Sequence, residues 1–309
     1  MGHAAPRSAG GSRLNDRVPR RPNLLSVVMP VYNGAATVAE QLGALQNQTY
    51  SGAWELIVAD NNSSDNTVEV VHSWVDHLPR LRIIEAVDGQ GVSYASNAGA
   101  KVAGGDFVVF CHQDDQADPG WLEAMADAAT GCDLVGGRMG FEKLNDPTTI
   151  AWRHQHPADR LPKAMGFLPF AIGANVGLWM DVFRDIGGWS EDLTWGGEDV
   201  EMCWRAQLAG YRLCFAQGAV IHFRYRSDPK ALWRQFRSYG MAEPQLFRRY
   251  RHAGAPRSKT VSALKTWAWA LVHLRDLAGS PEQKGTYLRK VAYRWGRLTG
   301  SVKSKVLYL

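Results

Sequence analysis

The stretch FVVFCHQDDQADPGWL, Phe107 to Leu122, constrains the fold more than any other part of the chain. Phe107, Val108, Val109 and Phe110 form an apolar run that suits a strand buried on both faces. The run stops at Asp114 and Asp115, and Pro119-Gly120-Trp121 restarts the chain as a helix. The same succession occurs upstream. Leu24–Met29 gives way to Pro30-Val31-Tyr32-Asn33-Gly34, then to helical spacing at Val38, Leu42 and Leu45. Trp54–Ala59 gives way to Asp60-Asn61-Asn62-Ser63-Ser64-Asp65, then to Val68, Val71 and Val75 on one helical face. Leu81–Ile84 adds a short strand and Ser93–Ala103 a helix. Alternating strands and helices predict an α/β protein whose mostly parallel sheet is covered by helices. Such sheets bind ligands outside the carboxyl ends of their strands, which places Asn33, Asp60 and Asp114 on one rim. Adjacent acids there can hold Mg²⁺ or Mn²⁺, which take oxygen ligands and bridge phosphates. The ordinary alternative is that Asp114, Asp115 and Asp118 form turns and helix caps, and the rest of the chain must decide.

Charge divides the chain. Residues 223–309 hold 19 Lys and Arg against 4 Asp and Glu, whereas the remainder holds 16 against 26. An acidic body therefore carries a basic tail, which the overall balance of +5 conceals. Residues 1–22 are rich in Gly, Ser, Pro and Arg without an apolar segment, and are expected to be a disordered leader rather than a signal peptide. The four cysteines, Cys111, Cys132, Cys203 and Cys214, show no C-x-x-C spacing and are expected as buried free thiols, which fits a reducing cytoplasm. The uncharged run Ala164–Met180 is too short and too broken to span a bilayer. Gly89-Gln90-Gly91 opens like a dinucleotide fingerprint, but Tyr94 stands where the third glycine belongs, which argues against hydride transfer.

In the second half, Trp195-Gly196-Gly197 leads into Glu198-Asp199 and a helix with its apolar stripe at Val200, Cys203, Trp204 and Leu208, ended by Gly210. Glu198 and Asp199 thus fall in a first helical turn, where acids are also favoured by the helix dipole alone. Glu201 and Arg205 are spaced as a structural i,i+4 pair. Arg212–Phe215 and Ala219–Phe223 read as two short strands, the second delivering His222.

The ordered segments SVVMPVYNG, ELIVADNNSSDNT, GVSYASNAGAKVAGGDFVVF, HQDD, GGWSEDLTWGGEDVEMCWRAQLAGYRL and AVIHF resemble family 2 glycosyltransferases of the GT-A fold, over roughly residues 24–225. The resemblance implies a Rossmann-like sheet, a nucleotide-diphosphate-sugar donor, a divalent cation (Mn²⁺ or Mg²⁺) on the diphosphate, and inversion at the anomeric carbon. It matches Pro30, Tyr32 and Asn33 to the segment around the nucleoside. Asp60 matches the acid that contacts the base or ribose, against the alternative of a simple Asx-turn residue. Asp114 matches the metal-binding acid. The family's first acid of this motif is replaced by His112, a neutral ligand, so Asp115 and His222 complete the candidate set. The basic residue that many relatives carry before Asn97 is Ser96 here, which leaves Asn97 and Lys101 as the donor-side candidates on that helix. Gly173, Ala174 and Asn175, with Trp195, Gly196 and Gly197, match the sugar and acceptor side. Asp199 aligns with the catalytic base, with Glu198 beside it.

The tail, residues 226–309, reads as basic amphipathic helices: Asp228–Arg251, a stripe at Leu264, Trp267, Leu271 and Leu274, and another at Tyr287, Val291, Trp295 and Leu298. Basic residues beside apolar stripes suit the anionic inner face of a membrane, where a peripheral enzyme would meet a lipid-linked acceptor. A glycan or small-molecule acceptor, and stripes that pack on the body or on a second copy, are the alternatives. A non-catalytic or nucleic-acid-binding protein on the same fold is the competing function. The acidic body and the absence of a nucleic-acid motif weigh against it.

Overall fold

The computed structural model describes residues 20–153 and 156–309. The expected leader lies outside these residues as far as position 19. Its last residues are held on the body: the Arg20 guanidinium lies 4.4 Å over the Trp179 ring, and Arg21 pairs with Glu123 and with Asp127 at 2.9 Å.

The first half follows the expected alternation. It runs β1 (Leu25–Val31), α1 (Val38–Gln46), β2 (Trp54–Asp60), α2 (Thr67–His72), β3 (Arg82–Glu85), α3 (Val92–Val102) and β4 (Phe107–Phe110). β1, β2 and β4 are buried at every position, which is why they read as unbroken apolar runs rather than alternating ones. The chain continues through β5 (Gln116–Ala117), α4 (Trp121–Ala129), β6 (Leu134–Gly140), α5 (Pro147–Ala151), β7 (Val176–Trp179), α6 (Met180–Asp185), α7 (Glu198–Leu208) and β8 (Leu213–His222). It ends in α8 (Pro229–Tyr250), α9 (Thr260–Val272) and α10 (Pro281–Lys303).

One eight-stranded sheet has the order β3-β2-β1-β4-β7-β6-β8-β5. Its first four strands are parallel, and β7 enters antiparallel between β4 and β6. The sheet is therefore mixed, with the expected parallel half. β6 and β7 were not expected as strands, and β8 is one strand with a register shift opposite Gly137 and Arg138 rather than two.

The cysteine expectation is corrected for two of four residues. Cys111 and Cys203 are buried thiols, but Cys132 and Cys214 form a disulfide across 82 residues of sequence, with Cα atoms 6.0 Å apart. The parallel register of β6 with β8 sets Val135 opposite Cys214 and so brings Cys132 within reach. With this bridge, the cysteines no longer argue for a reducing compartment.

α8 and α10 cross where Gly240 meets the Tyr293 carbonyl and Gly296 meets that of Arg237, leaving no room for a Cβ on either. Glu201 locks α7 to α8. It is 1% exposed, takes hydrogen bonds from Ser190 at 2.7 Å and Tyr250 at 2.6 Å, and pairs with Arg205 at 2.8 Å. The expected Glu201–Arg205 pair is thus part of a larger buried network.

Candidate active site

The rim predicted from the strand ends is present. β1 and β2 run in register to Val31 opposite Asp60, and β4 ends beside them just before His112. Asp60 accepts hydrogen bonds from the Ser63 amide at 3.2 and 3.3 Å, so its carboxylate closes the turn after β2 while lying at the rim. Asn33, at φ 47°, joins this turn to the one after β1: its amide donates to Ser63 Oγ, and its Oδ1 accepts from the Ser64 amide. Pro30 is buried in β1, whereas Tyr32 is 50% exposed and leaves a ring available at the mouth. Gln113, which sequence reasoning passed over, fixes this loop from the neighbouring strand end. Its side chain donates to the Tyr32 carbonyl at 2.9 Å and accepts from the Tyr32 amide at 3.0 Å.

His112, Asp114 and Asp115 converge, with one ligand atom of each lying within 4.8 Å of the others. Asp115 is fully buried. One oxygen accepts from the Arg224 amide at 2.9 Å and the other has no hydrogen-bond partner. Burial and then the Asp114 charge push the Asp115 carboxyl well above its ordinary range, while burial holds the His112 imidazole below its own. Converging carboxylates and a neutral imidazole around an orphaned buried oxygen make a donor set that fits a divalent cation. Arg224 donates to the Asp114 carbonyl at 3.0 Å, and Arg226 lies 3.7 Å from the Asp114 carboxylate. These two arginines were also missed. The R-Y-R following His222 was their only sequence signal, and it was absorbed into the reading of a basic tail.

Asp199 reaches the same rim from the other side of the sheet. Gly196 and Gly197 have φ of 97° and 85°, a turn that L side chains rarely adopt, and α7 starts directly after it. Asp199 then accepts from the Gly173 amide at 3.2 Å and from the Val200 amide at 2.7 Å. Gly173 lies just before β7, and Val176 pairs with Phe110. The residues entering β7 and those leaving β4 therefore share one edge. Burial raises the Asp199 carboxyl above its ordinary range despite the amides of Val200 and Gly173. Burial and then the Asp199 charge bring Glu198 up to about 7. Tyr239 of α8 stands against Gly196 with 43% of its surface exposed, in the charge field of Asp199 and Glu198. No sequence pattern pointed to Tyr239. Trp195 is half-buried beside it, its carbonyl held by Ser238 at 2.8 Å.

Other candidates are corrected. Asn97 is engaged within the chain: its amide clasps the Trp189 backbone from both sides, at 2.9 and 3.0 Å, and bonds Glu191. Lys101 is in the last turn of α3, which leads to the start of β4, so it lies at the opposite end of the sheet from the rim. Asn175 is fully buried and serves Trp121, Arg138 and Ala219 as a core amide, and Ala174 is buried next to it. Of that trio only Gly173 reaches Asp199. His222 does not join the metal-capable group. It faces Asp118 at 3.5 Å, its strand pairs with β5, and burial and then Lys143 hold its imidazole low.

Residues 26–187 match the family described as Glycosyl transferase family 2, and residues 108–295 that described as Glycosyl transferase family group 2. The chain belongs to the family 2 glycosyltransferases. It is 31% identical over 216 residues to glycosyltransferase AglE of Haloferax volcanii, covering 69% of this chain and 71% of that one. It is 29% identical over 219 residues to a validoxylamine A glucosyltransferase of Streptomyces hygroscopicus, covering 60% of this chain and 52% of that enzyme. The transferase thus spans about half the length of this second relative. Among solved structures, the mannosyltransferase PcManGT from Pyrobaculum calidifontis with GDP-Man and Mn²⁺ superposes with a TM-score of 0.58 at 18% identity, over 90% of this chain and 88% of that one. S. aureus TarS 1–349 in complex with UDP-GlcNAc gives 0.53 at 17%, over 92% and 93%. Both likenesses show the GT-A fold of this glycosyltransferase.

Proposed function

We propose that the transferase moves a sugar from a nucleoside-diphosphate-sugar donor to an acceptor hydroxyl with inversion, using Asp199 as the base. The observation that carries this is the shared edge: Asp199 hangs on Gly173 where β7 begins, facing the strand end that bears His112, Asp114 and Asp115. The nucleoside would lie along Tyr32, Asn33 and Asp60, where Asp60 can accept from a ribose hydroxyl or an imide. His112, Asp114 and Asp115 would hold a divalent cation, which supplies positive charge for the leaving diphosphate. Arg226, 3.7 Å from Asp114, adds an exposed cation beside it. Asp199 takes the acceptor hydroxyl proton as the oxygen forms its bond to the anomeric carbon, and the bond to the diphosphate breaks on the opposite face. The donors named for the structural relatives, UDP-GlcNAc and GDP-Man, both fit this chemistry. Water can stand in as acceptor, which makes the stereochemistry testable. Proton NMR of donor hydrolysis should show the sugar released first as the anomer opposite to that in the donor. First appearance of the retained anomer would exclude a single displacement.

The acceptor reading rests on the tail. Among the described residues no helix is long and apolar enough to cross a membrane. Yet the first tail stripe is not packed away: Leu264 is 65% exposed and Leu271 72%, with Val261, Val272 and Leu274 also exposed. An uncovered apolar edge on a basic tail favours peripheral docking on anionic lipid. Liposomes containing acidic lipid should sediment the transferase at low salt and release it as salt rises. Failure to sediment at low salt would remove the membrane from the account.

A further inference from the structure

An open cavity of about 620 Å³ between α8, α9 and α10 takes no part in the site described above. Its charge is one-sided. Lys259, Lys265, Arg289, Lys290 and Arg294 line it, and no acidic residue does. Phe236, Trp269 and Tyr293 supply the apolar wall.

Among the described residues none of the five forms an ion pair with a carboxylate. Arg294 donates to Thr266 at 3.2 Å and to Ser262 at 2.8 Å, and the Lys290 ammonium rests 3.9 Å from the Trp269 ring centroid. Arg289 Nε and Arg294 Nη1 are buried without a hydrogen-bond partner. The acids nearby do not supply the missing partner. Glu243 is held by Arg297 at 2.7 Å and by Tyr293, and Asp276 acts on Lys290 only through space. Burial is the first cause that lowers Arg289, Lys290 and Arg294, and the fields of Asp276 at Lys290 and of Glu243 at Arg294 do not offset it. Orphaned guanidinium donors beside two or three ammonium groups match an anion with several acceptor oxygens on a small centre, namely phosphate or diphosphate.

What the anion is attached to follows from the surroundings. The aromatic wall favours an apolar neighbour to the charged group. α9, which gives Val261, Lys265 and Trp269 to the cavity, also carries Leu264, Leu271 and Val272, which are uncovered and lie outside its lining. The cavity also adjoins the catalytic side. The Arg289 guanidinium lies 5.8 Å from the Phe236 ring, Phe236 lies 5.7 Å from Tyr239, and Tyr239 stands against Gly196 in the charge field of Glu198 and Asp199.

We propose that this cavity binds the phosphate or diphosphate group of an acceptor carried on an apolar chain, with the acceptor sugar directed along Phe236 and Tyr239 to Asp199. The proposal rests on the transferase reading for the acceptor role, and on the cavity alone for binding. Calorimetric titration of the full chain with farnesyl diphosphate, inorganic pyrophosphate and farnesol tests it without donor or turnover. Farnesyl diphosphate should bind, pyrophosphate about tenfold more weakly, and farnesol without measurable heat. Arg289→Gln with Arg294→Gln should weaken farnesyl diphosphate by about tenfold or more. Lys265→Glu, at an exposed position that does not disturb packing, should weaken it in the same direction. Nucleotide binding with Mn²⁺ should be unchanged in both variants, which separates this site from the donor rim. Equal affinity for pyrophosphate and farnesyl diphosphate would make the cavity a free-phosphate site and overturn the lipid-linked part. Absence of binding, or binding indifferent to both variants, would overturn the proposal whether or not Mn²⁺-dependent nucleotide binding is found.

Discussion

Asp199→Asn is expected to lower turnover by roughly 10²–10⁴ while leaving the fold and nucleotide binding intact, the range typical of removing a positioned base. The two carboxylate oxygens accept separately from Gly173 and Val200, so the single oxygen of the Asn amide keeps one of these bonds and the turn into α7 retains one of its two anchors. What is lost is the ability to take a proton. The pH dependence follows from the same carboxyl. Asp199 must be ionised to act, and burial raises it above the ordinary carboxylate range, with Glu198 beside it brought up to about 7. The rate should therefore fall as pH drops, and this acid limb should lie above the pH at which a solvated carboxylate would titrate, near 4. A Glu198→Gln variant should leave this limb in place, because Glu198, brought up to about 7 by burial and by Asp199, is already neutral where Asp199 takes up its proton. Near-normal turnover in Asp199→Asn, or a flat profile down to about pH 4, would take Asp199 out of the mechanism.

The largest expected stability effect is remote from the chemistry. Glu201→Gln should destabilise the fold by about 3 kcal/mol, because the buried carboxylate is the counter-charge for Arg205 and Arg249. Ser190 and Tyr250 donate to the same group, and an amide cannot accept all of these bonds with both oxygens. Burial alone would raise the Glu201 carboxyl. The hydrogen bond and charge of Arg205, with Tyr250 and Ser190, outweigh it and leave the group below its ordinary value. A depressed carboxyl contributes its stability above the unfolded-state value, near 4.3, and loses it as pH falls through the folded one. The gap in denaturation midpoint between the variant and the parent should thus be full at pH 7 and close below about pH 4. A gap independent of pH would mean that packing, not charge, is what Glu201 provides.

Much of the donor half was legible because its strands are buried on both faces and stop on polar residues. Val27, Leu56 and Val109 sit in runs that leave no other reading, and the ends of those runs located Asn33, Asp60 and Asp114. The other half of the sheet gave no such signal. β6 reads LVGGRMG, and its glycines are there because neighbours crowd it: Ala171 and Leu161 close over Gly136, and Asn175 with the Ala219 carbonyl over Gly137. That need arises only once distant strands are paired. The Cys132–Cys214 bridge was hidden for the same reason. Polar side chains misled where a motif position was recast as scaffold. Asn97 clamps Trp189 and Asn175 serves the core, roles set by partners 92 and 44 residues away. Gln113 and Tyr239 show the reverse case, in which residues without any motif value are brought to the rim by a strand end and by α8.

The central claim is that the rim bearing His112, Asp114 and Asp115 binds a nucleoside diphosphate through a divalent cation. Thermal denaturation with UDP, GDP, ADP, CDP and dTDP, each with and without Mn²⁺, tests it most directly, since a ligand that binds only the native state raises the midpoint by mass action. The account predicts that at least one nucleotide stabilises the protein only when Mn²⁺ is present, that Asp114→Ala abolishes this gain, and that Asp199→Asn keeps it. A nucleotide shift that is the same without Mn²⁺ and in Asp114→Ala, or no shift with any nucleotide, would contradict it.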